Sequence, residues 1–237
     1  MTREATRDIR VLLAVAHRIV LSGLQRLIDD EKPHLHVVAT ADCGEDAVRL
    51  ASVAKPDVAV VDVNLLQAPD NQIVLSLAKR DGTRLLILGE SSARKLHEAA
   101  ILRGACGVVD KSEPPEKLIK AIKKVHEGEL WLDRSTTGRL FVELSRKSAQ
   151  APDPNEQKVA ALTVREQEVV RVLAMDPGAD NKTLATSLHM GEHTLRNHLS
   201  RIYDKLGVPN RVELYLFVQR REMSDKAGLK FAEFATE

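Results

Sequence analysis

The chain has 237 residues, 35 Lys and Arg against 34 Asp and Glu, and only 3% aromatic residues. This length suggests about two domains, and the balanced charge excludes a global basic field, so any DNA binding must come from local placement of charge. The two cysteines, Cys43 and Cys106, lie far apart without metal-ligand spacing, which excludes a disulfide framework and fits a reducing compartment. No segment reads as a signal peptide, and no apolar run is long enough to cross a membrane. A cytoplasmic location is therefore expected.

The first half alternates short apolar runs with helical patterns. Ile9 to Ala16 reads as a strand, followed by a helix ending near Asp29-Asp30. His36 to Ala41 is a second strand and Glu45 to Val53 a second helix. Pro56 precedes a third strand, Asp57 to Val63. Asp70 to Lys79 is helical, Arg84 to Leu88 a strand, Ala93 to Arg103 a helix and Gly107 to Val109 the last strand. Pro114-Pro115 open a final helix, at the position where proline is tolerated. Five strands alternating with five helices predict a five-stranded parallel, doubly wound sheet covered on both faces. Ligands of such sheets sit at the C-terminal strand ends, which here carry Val15-Ala16, Asp62, Gly89 and Lys111. Asp62 and Lys111 are expected to face each other there. His34 and His36 read as strand-edge polar residues, and Cys43 and Cys106 as packed small residues.

Asp133 to Ser148 has a helical pattern through Leu140, Phe141 and Leu144, and Ala149 to Gln157, with Pro152 and Pro154, reads as a loop. Thr163-Val164-Arg165-Glu166 then has the form of a capping box. The helix it starts carries Val169, Val170, Val172, Leu173 and Met175 and stops at Asp176-Pro177-Gly178. A short helix runs from about Asn181 to Leu188, and His189-Met190-Gly191 is a turn. The third helix, Glu192 to Leu206, puts Leu195, Leu199, Ile202 and Leu206 in one stripe at roughly 100° per residue. His193, Asn197, Ser200, Arg201 and Asp204 fall opposite, with Arg196 on the flank. Gly207 ends this helix, and Arg211 to Val218 begins a fourth. Such a third helix fits the major groove, where its N-terminal half reaches base edges. The final stretch has Leu229, Phe231 and Phe234 among charged residues.

Leu162-Thr163, Arg165-Glu166, Asn181-Lys182, Thr194, Asn197 to Tyr203, Lys205 to Val208 and Arg211 resemble the LuxR-type helix-turn-helix over about fifty residues. One departure is Gly191, where that family often has a serine cap; glycine there costs only about a few tenths of a kcal/mol. By this resemblance Arg196, Asn197 and Ser200 read bases. Lys182, Thr194, Arg201, Lys205 and Arg211 lie near phosphates, and His198 touches the backbone or caps the outer face. Phosphate contacts position such a domain and base contacts specify its site.

Residues 8 to 132 resemble the receiver domain of NarL/FixJ-type response regulators. The resemblance rests on Ile9 to Ala14, Gly23-Leu24, Lys55 to Val58, Val60-Val61-Asp62, Gly104-Ala105, Gly107, Lys111 and Gly128 to Asp133. It implies that Asp62 is the phosphoacceptor position and Lys111 its partner. In that family two acidic residues after the first strand help hold Mg²⁺, and a Thr or Ser after the fourth senses the phosphate. Here the acidic pair is Val15-Ala16 and the hydroxyl position is Gly89. Ser91 and Ser92 lie out of register as substitutes.

The chain therefore reads as α/β plus all-α. Residues 1–132 form a receiver-like domain, 133–160 a partly helical linker, 161–222 a LuxR-type helix-turn-helix domain and 223–237 a tail. The expected function is a sequence-specific DNA-binding transcription regulator that works without Mg²⁺-dependent phosphorylation. It is expected to be a homodimer on double-stranded DNA, with a small-molecule or protein effector and a sensor kinase left open. No cofactor, metal or enzymatic activity is expected. Two alternatives remain: a conventional response regulator phosphorylated on Asp62, and a protein-interaction module that keeps the helix-turn-helix only as scaffold.

Overall fold

The computed structural model describes residues 8–66, 72–78, 82–132, 158–159 and 161–226. The chain divides at Trp131 and Leu132 into two compact units.

The first unit contains β1 (Ile9–Ala14), α1 (Arg18–Asp29), β2 (Leu35–Ala41), α2 (Gly44–Ala54), β3 (Val58–Asp62), α3 (Gln72–Ala78), β4 (Arg84–Gly89), α4 (Arg94–Ile101), β5 (Ala105–Asp110) and α5 (Pro115–His126). The strands form one five-stranded sheet in the order β2-β1-β3-β4-β5. Every pairing is parallel. Strands covered on both faces carry continuous aliphatic runs rather than alternation; β3 is Val58-Ala59-Val60-Val61-Asp62, buried throughout. Val11, Leu13, Val58, Val60, Leu86 and Leu88 pack one face against Ile28 of α1 and Leu118, Ile122 and Val125 of α5. α2, α3 and α4 supply further buried residues, among them Ala47, Ala51, Val74, Leu77 and Ile101. Strand order reverses direction at β1, so the C-terminal ends of β1 and β3 form the crevice where such sheets bind ligands.

Several boundaries move. β1 stops at Ala14, and Val15 instead donates its N–H to Ala41 O at 2.9 Å. β3 stops at Asp62 because the Asp62 carboxylate accepts from Asn64 N at 2.9 Å, turning the chain into a short 3₁₀ turn at Val63–Leu66. β5 is longer than its apolar pattern suggested, because its ends pair with β4, Ala105 with Leu85 and Asp110 with Gly89; on its other side Val108 N donates to Trp131 O at 3.0 Å and Trp131 N to Cys106 O at 2.9 Å.

The second unit contains α6 (Val164–Met175), α7 (Asn181–Ser187), α8 (Glu192–Leu206) and α9 (Arg211–Lys226). Its core joins Leu162, Val169, Leu173, Leu184, Leu188, Leu195, Leu199, Ile202, Leu206 and Leu214. α9 starts at Arg211 as expected and runs on to Lys226. Asp133 to Gln157, with its helical pattern and loop, and the terminal Leu229, Phe231 and Phe234 lie outside the described residues. Among the described residues, no helix is long and apolar enough to cross a membrane.

At Gly107 the space beside the backbone is filled by the backbone of Trp131 as well as its side chain. A Cβ there would meet Trp131 Cβ and O at 2.6 Å. Gly107→Ala must push the backbone of Trp131 off β5, and overpacking of this kind costs about 1–3 kcal/mol. Thermal unfolding should show a lowered midpoint for the first unit; an unchanged midpoint would mean the Trp131 segment yields freely.

Candidate nucleic-acid interface and receiver site

α8 is held by its neighbours so that one face is left outward. Asp180 caps α7 by accepting from Thr183 N at 2.7 Å. His189, at φ 50°, carries the chain through the left-handed region into the turn. α8 then begins at Gly191, which has extended backbone and no side-chain cap. It ends at Gly207, at φ 67°, with Val208 N donating to Tyr203 O at 3.0 Å.

Leu195, Leu199, Ile202 and Leu206 are fully buried. His193, Thr194, Asn197, Ser200, Arg201 and Asp204 are exposed on the other side, and Arg196 is half-buried on the flank. Lys182 on α7 is exposed too. His198 is half-buried, with Nδ1 turned inward and unpartnered among the described residues.

Four charged side chains have internal duties. Glu166 completes the capping box: Glu166 N donates to Thr163 Oγ1, and Thr163 N donates to Glu166 Oε2 at 2.8 Å. Glu166 is almost fully buried, and Lys205 Nζ reaches the same oxygen at 2.6 Å. Burial opposes ionisation of Glu166, but the Lys205 ammonium and the Thr163 bonds outweigh it and hold the carboxyl below its ordinary range. Lys205 is thus committed to Glu166, which limits its reach to phosphate.

The expectation that Arg211 meets phosphate is corrected. Arg211 is only 2% exposed, and its guanidinium donates to Asn181 Oδ1 at 2.6 Å and to Ala179 O. It fixes the start of α7. Arg165 plays a related part, donating to Leu188 O at 2.6 Å where α7 ends. One contact had no assigned role from sequence: His193 Nε2 lies 3.3 Å from Asn197 Nδ2, one turn along α8. The i, i+4 spacing was its available signal.

In the first unit Asp62 and Lys111 meet. Lys111 Nζ lies 2.8 Å from Asp62 Oδ1 and 3.7 Å from Glu90 Oε1. Asp62 is 1% exposed, and its Oδ2 has no hydrogen-bond partner among the described residues. Lys111 N donates to Gly89 O at 2.8 Å, tying the ends of β4 and β5. Val15 is buried and Ala16 exposed. This donor set fits Mg²⁺ poorly, because the ion needs several hard oxygens in near-octahedral order. Val15 and Ala16 offer no side-chain oxygen, and Asp62 Oδ1 already serves Lys111 and Asn64. Asp42, Cys43 and Asp46 form the one grouping of three metal-ligand types among the described residues. Asp46 there holds Arg49 at 2.8 Å.

Comparison with known proteins agrees with both units. The family described as Bacterial regulatory proteins, luxR family, matches residues 160–218. The Response regulator receiver domain matches residues 11–123. The DNA-binding transcriptional activator DevR/DosR of Mycobacterium tuberculosis is 31% identical over 93% of this chain and 98% of its own length. The nitrate/nitrite response regulator protein NarL of Escherichia coli is 28% identical over 90% of this chain and 96% of its own. The crystal structure of response regulator ChrA, from a heme-sensing two-component system, is 28% identical, covers 91% of this chain and 98% of its own, and superposes with a TM-score of 0.46. The chain belongs to the two-domain response regulators that pair a receiver with a LuxR-type helix-turn-helix. It is a DNA-binding transcription regulator of that family.

The Glu166 contacts predict a pH dependence. The folded carboxyl titrates below its ordinary value of 4.5, so the stability it supplies is complete above that value and is lost as pH falls through the lower folded value. At neutral pH, Glu166→Gln should unfold at lower temperature than the wild type. The gap should close as acid protonates Glu166. A gap independent of pH would remove the charge from this account.

Proposed function

We propose that the chain reads a specific double-stranded DNA sequence with Arg196, Asn197 and Ser200, and that its activity is set without Mg²⁺-dependent phosphorylation of Asp62. The observation that carries the DNA reading is α8 itself: its apolar stripe is fully buried while Asn197, Ser200 and Arg201 stand exposed on the opposite face. Arginine suits the guanine major-groove edge and asparagine the adenine edge, each by a bidentate pair. Thr194, Arg201 and Lys182 supply phosphate contacts, with His198 and Lys205 at the margin. A two-fold homodimer would place two such helices on paired half-sites. DevR/DosR is described as a DNA-binding transcriptional activator, which supports a role in the cytoplasm on promoter DNA.

The regulatory part rests on chemistry. Phosphoryl transfer to a carboxylate relies on positioning and on neutralising charge, which metal ions largely supply. Control then falls to dimerisation, a small molecule or a protein partner. A conventional switch is the second reading, favoured by one feature: the Asp62–Lys111 pair is present and leaves Asp62 Oδ2 without a hydrogen-bond partner among the described residues.

Arg196→Ala and Asn197→Ala should each weaken binding to the target by about 1–3 kcal/mol while binding to unrelated DNA changes little. Competition binding at fixed salt reads this, and retained preference for the target would overturn the base-reading assignment. Incubation with Mg²⁺ and a small phosphoryl donor should leave the intact mass unchanged when a competent receiver is modified beside it. A stoichiometric phosphate that disappears in Asp62→Ala would make the second reading the correct one.

A further inference from the structure

Gly89 stands where the family resemblance puts a Thr or Ser, and the space that side chain would fill is occupied. A Cβ built on Gly89 would lie 2.1 Å from His97 Nε2, 2.7 Å from Cε1 and 3.1 Å from Cδ2. The edge of the His97 ring therefore rests on the glycine backbone at the end of β4. His97 is on α4, is half-buried, and its Nε2 is enclosed with no hydrogen-bond partner among the described residues. Gly89 also ties this spot to the receiver site, since its carbonyl accepts from Lys111 N and Lys111 Nζ holds Asp62.

We propose that His97 is a proton-operated latch: the neutral imidazole fills the notch above Gly89 and seats α4 on β4 and β5, and a proton on the ring drives it out and releases α4. This goes beyond the reading above and holds whether or not Asp62 accepts a phosphoryl group.

A neutral ring tolerates the notch, because a buried neutral nitrogen without a partner costs far less than a buried imidazolium. Burial accordingly pushes the His97 pKa below its ordinary value of 6.5, while Asp110 and Glu98 pull the other way. The charges on each neighbouring element are few. β5 offers Asp110, followed by Lys111. β4 carries Arg84 at its far end and is followed by Glu90, which lies 3.7 Å from Lys111. The short turns Val63–Leu66 and Ser91–Ala93 carry none, and α4 itself has Arg94, Lys95 and Glu98. Asp110 and Glu98 favour the charged ring where it sits but do not offset the cost of its burial, and moving the imidazolium into water relieves that cost. The missing Cβ at Gly89 is what makes room for the ring; without glycine there the latch could not close.

The test is an NMR titration of the whole chain from about pH 8 to about pH 5, the span in which histidine changes charge. The His97 ring should titrate below 6.5, and the backbone amides of Arg94–Ile101 and Ala105–Asp110 should shift with the same midpoint. Gly89→Ala, which must eject the ring, should show the acid pattern at the neutral end and no midpoint. His97→Phe, which keeps an uncharged ring in the notch, should hold the neutral pattern throughout. If His97 titrates while those amides stay still, or if acid and Gly89→Ala move different sets of amides, the latch is wrong. If Gly89→Ala does not fold, the wild-type and His97→Phe titrations decide the matter alone.

Discussion

Asp62 is a carboxylate buried to 1% exposure at the end of a parallel strand, and a single ammonium, Lys111 Nζ at 2.8 Å, answers its charge. Much of this end of the receiver follows from that pairing. A buried charge stripped of its partner costs several kcal/mol, roughly 3–5, so Lys111 has to stay. Its backbone N–H is fixed to Gly89 O, which keeps β4 and β5 in register at this end. The carboxylate also accepts from Asn64 N and so turns the chain out of β3. Lys111 Nζ serves Asp62 closely and Glu90 at 3.7 Å, so one ammonium is shared between two carboxylates at this end of the sheet. Val15 packs as an ordinary core residue, fully buried.

The helix-turn-helix unit is ordered by the same principle with the signs arranged differently. Arg211 and Glu166 are both buried and each is met by groups from another helix: Arg211 by Asn181 and Ala179 at the start of α7, Glu166 by Lys205 near the end of α8. These contacts are directional where leucine packing is not. The leucine stripe sets how deeply α8 sits, while the charged pairs fix where α7 begins and how α8 is rotated. The outward direction of Asn197 and Ser200 is a consequence of both.

The elements were legible where burial imposes a simple pattern. Val58 to Val61 and Leu85 to Leu88 are aliphatic runs too short for helices, flanked by Pro56 and Gly89, and both are strands. The α8 stripe and the Thr163 capping box were readable because their partners lie three or four residues away. What was not legible shares one cause. Arg211 finds its partners about thirty residues upstream, and the Lys205–Glu166 contact spans thirty-nine residues, so nothing local announces either contact. Ala105-Cys106 gave no strand signal because what holds them in the sheet is distant: Ala105 pairs with Leu85 of β4 and Cys106 O accepts from Trp131 N, after α5. The fit of His97 over Gly89 is a complementarity between a strand end and a helix. A sequence shows only that a hydroxyl is missing, not what has taken its volume.

The commitments inside the helix-turn-helix unit bear on how DNA occupancy can be controlled. Residues 161–222 carry nine Lys and Arg against eight Asp and Glu, and Arg211, Lys205 and Arg165 are engaged with protein groups. Those three are diverted from phosphates, and the affinity of one unit for arbitrary DNA scales with the number of phosphates it neutralises. Joining two units makes the second contact intramolecular, which can raise overall affinity by about 10²–10⁴ without any new side-chain contact. For a unit whose cations and anions nearly cancel, pairing is therefore a strong lever on occupancy. Were such pairing biased by about a few kcal/mol, that alone would govern whether the DNA is bound.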